Sequence, residues 1–496
     1  MAAMKTPGVY IVEKNAFPNS VVEVATAVPA FIGHTEIAVN GNKSLTNKPW
    51  RITSMAEYRS YFGGEPSPVF EIQEAEGSEP ELMLGGKGYK LVQSNPAYSL
   101  YYNMLLFYAN GGGPCYIVSV GDYTKDFEAD KFTAGVETLV KEQEPTLVLV
   151  PEAVCLAKEA CVGVQQAVLM HCGNKMKNRF AILDVFGGYK GRQDPDGDSV
   201  MEFREAIGSN FLAFGAAYYP WLNTSVVSEK SITYANVDIP KLKELLEAEI
   251  AEWKDENRQA QLTEQLVKLE DAELAPVDRD LLHTILLQNS QVYRSVLKEI
   301  RQKVNLLPPG AAMAGLYTMV DNTRGVWKAP ANYSLCNVVT PTVNISHDDQ
   351  EDLNVPLSGK AVNAIRTFTG EGVKVWGART LDGNSLDWRY INVRRTMIFL
   401  EESVKNAARA YVFDPNEANT WLNIKSMIEN FLRGVWKRGG LAGAVPEDAY
   451  SVHVGLGDTM TPEDILEGIM RITVLVAITR PAEFIEITFQ QQMQKS

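Results

Sequence analysis

Apolar runs alternate with amphipathic stretches from residue 30 to residue 185. The apolar runs predict strands at residues 30–33, 115–120, 147–150 and 180–185, and the stretches between them predict helices at residues 98–108 and 154–172. Strands that are apolar at nearly every position are typical of a parallel sheet that is buried on both faces. The pattern therefore predicts the α/β class, with a mixed, mostly parallel sheet layer and flanking helices.

Helical periodicity replaces this alternation between residues 240 and 304. Leu242, Leu246, Ile250 and Trp253 recur at helical spacing, and a second apolar stripe follows Pro276. This spacing predicts a pair of long amphipathic helices, arranged as a hairpin. We interpret the hairpin as an insertion near residues 228–306. Two ordinary helices that cover the sheet are an equally good interpretation.

Both ends of the chain carry strand patterns. Short β-branched runs occur at residues 9–13 and 21–24, and residues 483–490 alternate with Ile485, Ile487 and Phe489 on one face. Short strands at a terminus can pair within the subunit or can add to the sheet of a neighbour. We expect the N- and C-terminal segments to form an α+β domain with exchangeable terminal strands.

These patterns divide the chain into three parts. We expect residues 1–28 to form an extended N-terminal arm and residues 29–345 to form an α/β domain that contains the helical insertion. We expect residues 346–496 to form a C-terminal domain that ends in the strand at residues 483–490.

Composition and charge exclude several classes of protein. The chain has 496 residues, 45% of them hydrophobic and 22% charged, which is typical of folded domains. Its net charge of −14 argues against general binding of nucleic acid or of anionic membranes, because such binding depends on Lys and Arg. The five cysteines do not suggest a disulfide framework. The N-terminus lacks a signal-peptide pattern, and no apolar run reaches the ~18 residues of a membrane helix.

The sequence offers little catalytic or cofactor chemistry. The most polar cluster, His347-Asp348-Asp349, is better explained as a solvated loop than as part of a catalytic triad. Cys155, Cys161, His171 and Cys172 match no zinc-binding spacing, and we interpret them as core residues. The glycine-rich segments lack the order of strand, loop and helix that a phosphate-binding loop requires. We therefore predict no catalytic residue, no cofactor and no metal site.

Several short segments resemble the contractile tail sheath family of bacteriophages and extracellular contractile injection systems. The most specific are PPGAAMAG at residues 308–315 and DNTRGVWKAPAN at residues 321–332. Other segments follow in the same order as in the family: residues 6–11 (TPGVYI), 27–33 (AVPAFIG), 108–116 (YANGGGPCY), 376–380 (WGART), 390–395 (YINVRR), 413–416 (FDPN) and 481–485 (PAEFI). The resemblance is nearer to the extracellular injection-system branch.

The resemblance implies a structural function. Sheath subunits polymerise as stacked six-fold rings around an inner tube, and the sheath contracts to drive the tube through a target envelope. The implied partners are other copies of the chain, the inner tube protein, and baseplate and terminal cap proteins, with no nucleic acid and no membrane insertion. It also implies a subtilisin-like sheath domain without enzymatic activity, with residues 29–345 as the outer domain, residues 346–496 as the inner domain and an inter-subunit strand from residues 1–28. The chain would be made in the bacterial cytoplasm and assembled into a phage-tail-like particle that can be released outside the cell.

The resemblance also suggests roles for individual residues. We expect the inter-subunit strands to include Val9, Tyr10, Ile11, Val12, Val22, Val24, Ile485, Ile487 and Phe489. We expect Arg433, Lys437 and Arg438, at the end of one predicted helix, to face the inner tube. Alternatively, these cations stabilise only the dipole of their own helix. In the motif at residues 321–332, we expect Asp321 to pair with Arg324 and Trp327 to anchor the core of the α/β layer.

Two other classes of function remain open on the sequence alone. The first is an α/β hydrolase-like enzyme, against which the missing triad motifs argue. The second is a soluble binding module or chaperone that uses the helical hairpin. That function would account for the hairpin but not for the strand-forming termini.

Overall fold

The computed structural model describes residues 21–75, 79–271 and 273–487. These residues divide into two compact units. The larger unit comprises residues 26–324 and 329–394, and the smaller unit comprises residues 21–25, 325–328 and 395–487. In the described part of the chain, no helix is long and apolar enough to cross a membrane.

The strands are β1 (Pro29–His34), β2 (Val39–Asn40), β3 (Lys43–Ser44), β4 (Trp50–Ile52), β5 (Phe70–Glu74), β6 (Leu82–Leu84), β7 (Lys87–Gln93), β8 (Cys115–Gly121), β9 (Leu147–Leu149), β10 (Phe180–Asp184), β11 (Gly215–Tyr219), β12 (Leu222–Thr224), β13 (Leu306–Leu307), β14 (Val338–Pro341), β15 (Asn363–Phe368), β16 (Gly372–Val375), β17 (Tyr450–His453) and β18 (Thr473–Val476). The helices are α1 (Met55–Phe62), α2 (Leu100–Ala109), α3 (Ala129–Thr138), α4 (Lys158–Met170), α5 (Ser199–Ala206), α6 (Ile239–Ala251), α7 (Glu256–Val267), α8 (Pro276–Asn289), α9 (Gln291–Val304), α10 (Gly310–Arg324), α11 (His347–Asn354), α12 (Ile391–Ala408), α13 (Ala418–Lys437), α14 (Pro446–Ala449) and α15 (Pro462–Leu466).

A mostly parallel sheet forms the centre of the larger unit. Its strand order is β16-β15-β11-β10-β9-β1-β8-β4, and the six strands from β15 to β8 are parallel to their neighbours. The two edge strands, β4 and β16, run antiparallel to their neighbours. Strands β1, β9, β10 and β11 are buried throughout. The predicted mixed α/β layer with flanking helices is therefore confirmed.

Hydrophobic clusters cover both faces of this sheet. In β1, Phe31 belongs to one cluster, and Ala30 and Ile32 belong to the other, because successive strand residues point to opposite faces. Helices α2 and α10 cover the first face, and α3, α4 and α5 cover the second. Fully burying one such side chain stabilises a fold by about 1.5–3 kcal/mol.

Glycine and alanine residues in the segment 308–315 allow α10 to lie close to α2. Gly315 lies directly against the carbonyl oxygen of Phe107, so that any side chain at this position would overlap the α2 backbone. Ala311, Ala312 and Ala314 are fully buried in the same helix. The sequence motif therefore has a packing role, because it places two helices side by side on one face of the sheet.

The predicted pair of long helices between residues 240 and 304 is wrong, because the structure has four shorter helices there, α6 to α9. Asp255 caps α7 by accepting hydrogen bonds from the backbone N–H groups of Asn257 and Arg258. Ser290 caps α9 through the N–H of Tyr293. Each cap starts a new helix. The helical spacing of the apolar residues continues across these caps, so it did not reveal where one helix ends and the next begins.

The boundary between the units also differs from the predicted division at residue 345. Residues 346–394 lie in the larger unit rather than with the C-terminal segment. The reason is strand pairing: β15 joins the central sheet beside β11, and β16 extends the sheet from β15. Helix α12 contains the division between residues 394 and 395.

Candidate assembly surfaces of the smaller unit

Helix α13 is the longest helix of the smaller unit and determines where its charged residues lie. It has 20 residues, so it is ~30 Å long. Ile424, Ile428, Leu432 and Val435 form a buried stripe along it and contact a hydrophobic cluster. The helix ends where Gly439 adopts a φ of +84°, and the N–H of Gly440 donates to the carbonyl of Val435.

The exposed face of α13 is polar along most of its length and basic at its C-terminal end. Asn419, Asn423 and Asn430 recur at helical spacing on the exposed side, followed by Arg433 and Lys437. The acidic side chain on this helix that is nearest in sequence to Arg433 is that of Glu429, which is half-buried. Its Oε1 lies 3.9 Å from Nζ of Lys425. Arg433, Lys437 and Arg438 are all exposed, so the predicted basic cluster lies at the surface.

Arg438 differs from the other two cations because it forms an ion pair within the chain, whereas Nε of Arg433 donates to the hydroxyl of Tyr450 over 3.5 Å. Its Nη1 donates to Oε2 of Glu23 over 3.1 Å, and its Nη2 contacts Oε1 of the same carboxylate. Its guanidinium carbon also lies 5.2 Å from the centre of the Trp327 ring. Sequence reasoning missed this ion pair, because 415 positions separate its two residues.

Residues 21–25 lie against the hydrophobic cluster of the smaller unit. Val21 and Val24 contact the cluster, whereas Val22 is 79% exposed. The N–H of Val24 donates to Oγ of Ser403 over 3.2 Å. Val24 is thus held by its own subunit, so the structure gives no support to its predicted place in an inter-subunit strand. The other predicted N-terminal strand residues, Val9, Tyr10, Ile11 and Val12, lie outside the described residues.

Strands β17 and β18 form a two-stranded antiparallel sheet. Tyr450 pairs with Val476, and His453 pairs with Thr473. Among the described residues, each strand has a strand neighbour on one side only, so each presents an edge, and a backbone bridge between Leu441 and Ile478 lies just beyond the end of β18. Tyr450 and Val452 of β17 are buried against the hydrophobic cluster, and Leu475 of β18 is exposed.

The C-terminal segment after β18 exposes several apolar side chains. Phe484, Ile485 and Ile487 are 74%, 77% and 70% exposed. Residues 481–487 have no strand assignment within the single chain, although a strand was predicted at residues 483–490. Phe489 lies outside the described residues.

The motif at residues 321–332 contributes to both units. Asp321 is half-buried and Arg324 is exposed, and both lie in the last turn of α10. Trp327 is half-buried and contacts the hydrophobic cluster of the smaller unit. The expectation that Trp327 anchors the α/β layer is therefore wrong, because residues 325–328 pack with the C-terminal helices.

The polar clusters considered from the sequence have structural explanations. Ser346 and Asp349 form a reciprocal capping box at the start of α11, which accounts for the acids after His347. Cys161 and Cys172 are buried in a hydrophobic cluster of the larger unit. Burial raises the pKa of each of these thiols to about 12. Within the described residues, no group of three or more His, Cys, Asp or Glu side chains is arranged to hold a metal ion.

Comparisons with known proteins support the resemblance seen in the motifs. Residues 384–492 match the family described as phage tail sheath C-terminal domain. The tail sheath protein of Vibrio phage KVP40 is 24% identical over 166 residues, which cover 32% of this chain and 23% of that protein. The tail sheath protein of Salmonella phage ViI is 22% identical over 146 residues, covering 29% and 23%. The matched regions thus span less than a quarter of these two relatives.

Solved structures match the chain along almost its whole length. The helical sheath of the anti-feeding prophage (AFP) in its contracted state is 27% identical, covers 99% of this chain and 100% of that chain, and has a TM-score of 0.62. The sheath complex of an extracellular contractile injection system, PVC, in its contracted state is also 27% identical, with 99% coverage of both chains and a TM-score of 0.60. The predicted resemblance to contractile tail sheath proteins is confirmed.

Proposed function

We propose that this chain, which resembles contractile tail sheath proteins along its whole length, is a structural subunit of a contractile sheath. Its subunits would form stacked six-fold rings around an inner tube and would contract to drive the tube through a target envelope. The observation that carries this proposal is the likeness over 99% of the chain to sheath subunits of contractile injection systems. The larger unit's likeness to a subtilisin-like fold is part of the proposal and implies no enzymatic activity.

Exchange of terminal strands is the mechanism by which subunits would bind one another. The sheet of β17 and β18 offers unpaired edges, and an added strand gains backbone hydrogen bonds while its alternate side chains fix the register. The exposed Ile485 and Ile487 are two residues apart, so an extended backbone would place them on one face. With Phe489, and with Val9, Tyr10, Ile11 and Val12 at the other end, they are the proposed inter-subunit contacts. We also propose Val22, whose side chain is exposed, as part of the N-terminal inter-subunit strand.

The basic end of α13 is the proposed contact with the inner tube. Arg433 and Lys437 lie on the exposed face, beyond a row of uncharged asparagines. Exposed ion pairs contribute only about 0–1 kcal/mol each. Such weak contacts suit a sheath that must hold the tube before contraction and release it afterwards. Arg438 was also predicted to contact the tube, but its guanidinium is already engaged by Glu23.

Contraction would draw its energy from contacts between subunits. A lattice whose packed interfaces have two stable arrangements can store energy in the less stable one until a baseplate signal releases it. This mechanism needs neither a cofactor nor a nucleotide, and it agrees with the absence of phosphate-binding motifs from the sequence. The further partners of this proposal are baseplate and terminal cap proteins, in a phage-tail-like particle assembled from protein made in the cytoplasm.

Electron microscopy of the purified full-length protein tests this proposal. We expect tubes or stacked rings, with a six-fold repeat in end views. A variant that lacks residues 1–20 is expected to keep the fold, measured by circular dichroism, and to lose polymerisation. A stable monomer under every salt and concentration condition, with or without tube protein, would contradict the proposal.

A further inference from the structure

Residues 21–25 of the N-terminal arm form an ion pair with the end of α13. Glu23 and Arg438 form a two-point ion pair, in which the side chains are 43% and 46% exposed. Arg438 follows the last residue of α13, so the carboxylate of Glu23 is held at the C-terminal end of a rigid helix. The attachment is therefore made to a well-fixed part of the subunit rather than to a loop.

Three further contacts restrain the same short segment. The guanidinium of Arg438 lies over the ring of Trp327, which contacts the hydrophobic cluster of the smaller unit. The N–H of Val24 donates to Oγ of Ser403 in α12. The side chains of Val21 and Val24 pack on the cluster. Together these contacts fix both the position and the direction of the backbone at residues 21–24.

We propose that Arg438, which lies over Trp327, acts as a clamp on Glu23 and so holds residues 21–24, from which the N-terminal arm starts, at a fixed point and in a fixed direction. This inference rests on the proposed function, because the arm is taken to add a strand to a second copy of the chain. A fixed starting point raises the effective concentration of the arm at the edge it must reach. Arg438 thus acts on polymerisation and does not contact the tube.

The geometry requires arginine rather than any cation. A guanidinium is planar, so it can present two N–H groups to a carboxylate and also stack on an aromatic ring. A lysine at the same position would keep the charge but lose both the two-point pairing and the stacking. Arg438→Lys is therefore a sensitive variant, because a contact with the tube that depended on charge alone would tolerate it.

A charge-exchange experiment tests the clamp. Polymerisation of the full-length protein is measured by sedimentation without tube protein, for Arg438→Glu, Glu23→Arg, the double variant Glu23→Arg/Arg438→Glu, and Arg438→Lys. Thermal unfolding confirms that each variant is folded. Lys405→Glu is the matched control, because Lys405 is an exposed cation of the smaller unit that forms its own ion pair, with Glu402.

We expect each single reversal to raise the critical concentration for polymerisation about five- to tenfold, and the double variant to restore it to within about threefold of the wild type. Arg438→Lys is expected to lie between the wild type and Arg438→Glu, and Lys405→Glu to polymerise normally. A double variant no better than the single variants, or normal polymerisation of Arg438→Glu, would overturn the clamp while leaving the sheath proposal intact. Failure of the wild type to polymerise under every condition, with or without tube protein, would overturn both.

Discussion

The carboxylate of Asp184 accepts a 2.7 Å hydrogen bond from the backbone N–H of Gly310, and both residues are buried. The bond joins the end of β10 to the first turn of α10. Burial raises the pKa of Asp184 to about 7, although the hydrogen bond from Gly310 opposes this rise. A side chain at residue 310 would overlap the carboxylate, which explains why a glycine begins this helix.

The raised pKa predicts that Asp184 contributes stability at pH 4 that is lost as the pH rises to about 7. His171 acts in the opposite direction in this window, because burial lowers its pKa to about 4. In this window the folded protein keeps a proton on Asp184 that the unfolded chain, with an aspartate pKa of about 3.9, has already lost. The contribution of Asp184 to the free energy of unfolding should fall by about 4 kcal/mol across the window and change no further above it. Thermal unfolding at a series of pH values measures the effect.

Asp184→Asn should remove the contribution of this residue to the pH dependence of the free energy of unfolding. An amide oxygen can still accept the hydrogen bond from Gly310, and the amide carries no charge. The variant is expected to unfold at a higher temperature than the wild type at pH 8 and at a similar temperature at pH 4. Asp348→Asn, at an exposed position in α11, is the control and should leave the profile unchanged. An unaltered pH profile in Asp184→Asn would show that another group controls the stability.

The sequence predicted the central sheet because its strands are local and uniformly apolar. Residues 115–120 and 180–185 could be identified as strands without knowledge of their neighbours. Their order in the sheet depends on pairing across long separations, and β15 joins the sheet far from β11 along the chain. That pairing left no local pattern, so the predicted boundary at residue 345 differs from the structural one.

The candidate assembly residues were predictable only in part. The basic end of α13 could be identified from helical periodicity and from the glycines that follow it. The ion-pair partner of Arg438 could not be identified from the sequence, because Glu23 lies near the other end of the chain. A single acidic residue among valines also has no distinctive spacing. Trp327 was assigned to the wrong unit because residues 325–328 belong to the smaller unit, whereas the residues directly before and after them belong to the larger unit.

Trp327→Ala should destabilise the smaller unit by about 2 kcal/mol, which is less than the 3–5 kcal/mol expected for a fully buried tryptophan. The reason is that the side chain is half-buried, although it packs against the hydrophobic cluster of the smaller unit. Denaturant unfolding followed by circular dichroism measures the change. Trp327→Phe is the control and should lose less, because an aromatic ring remains. A loss above 4 kcal/mol would contradict the partial burial.

Ile485→Asp combined with Ile487→Asp should leave the folded subunit unchanged and prevent polymerisation. Both side chains are exposed in the single chain, so substitutions at exposed positions should alter the free energy of unfolding by no more than about 0.5 kcal/mol. In a neighbour's sheet the same side chains would be buried, where an unpaired carboxylate is strongly unfavourable. Sedimentation and thermal unfolding separate the two effects. Glu486→Gln, between the two positions, is the control and should polymerise, and normal tubes from the double variant would exclude these residues from the interface.

Arg433→Glu combined with Lys437→Glu should weaken co-assembly with the inner tube without affecting polymerisation of the sheath. Both side chains are exposed on one face of α13, and Glu23 engages Arg438 rather than either of them. Reversing two surface charges replaces attraction with repulsion at any acidic partner, and the effect should decrease as salt screens it. The measurement is the fraction of tube protein that sediments with the sheath at low and at high ionic strength.

Asn423→Ala is the matched control for this variant, because it lies on the same exposed face of α13 and carries no charge. It should co-assemble like the wild type at both salt concentrations. If the double reversal also gives normal sheathed particles at low salt, the cations only stabilise the C-terminal end of their own helix, and the tube contact lies elsewhere. If sheath polymerisation itself fails while the subunit remains folded, the basic end of α13 contributes to contacts between subunits instead of to the tube.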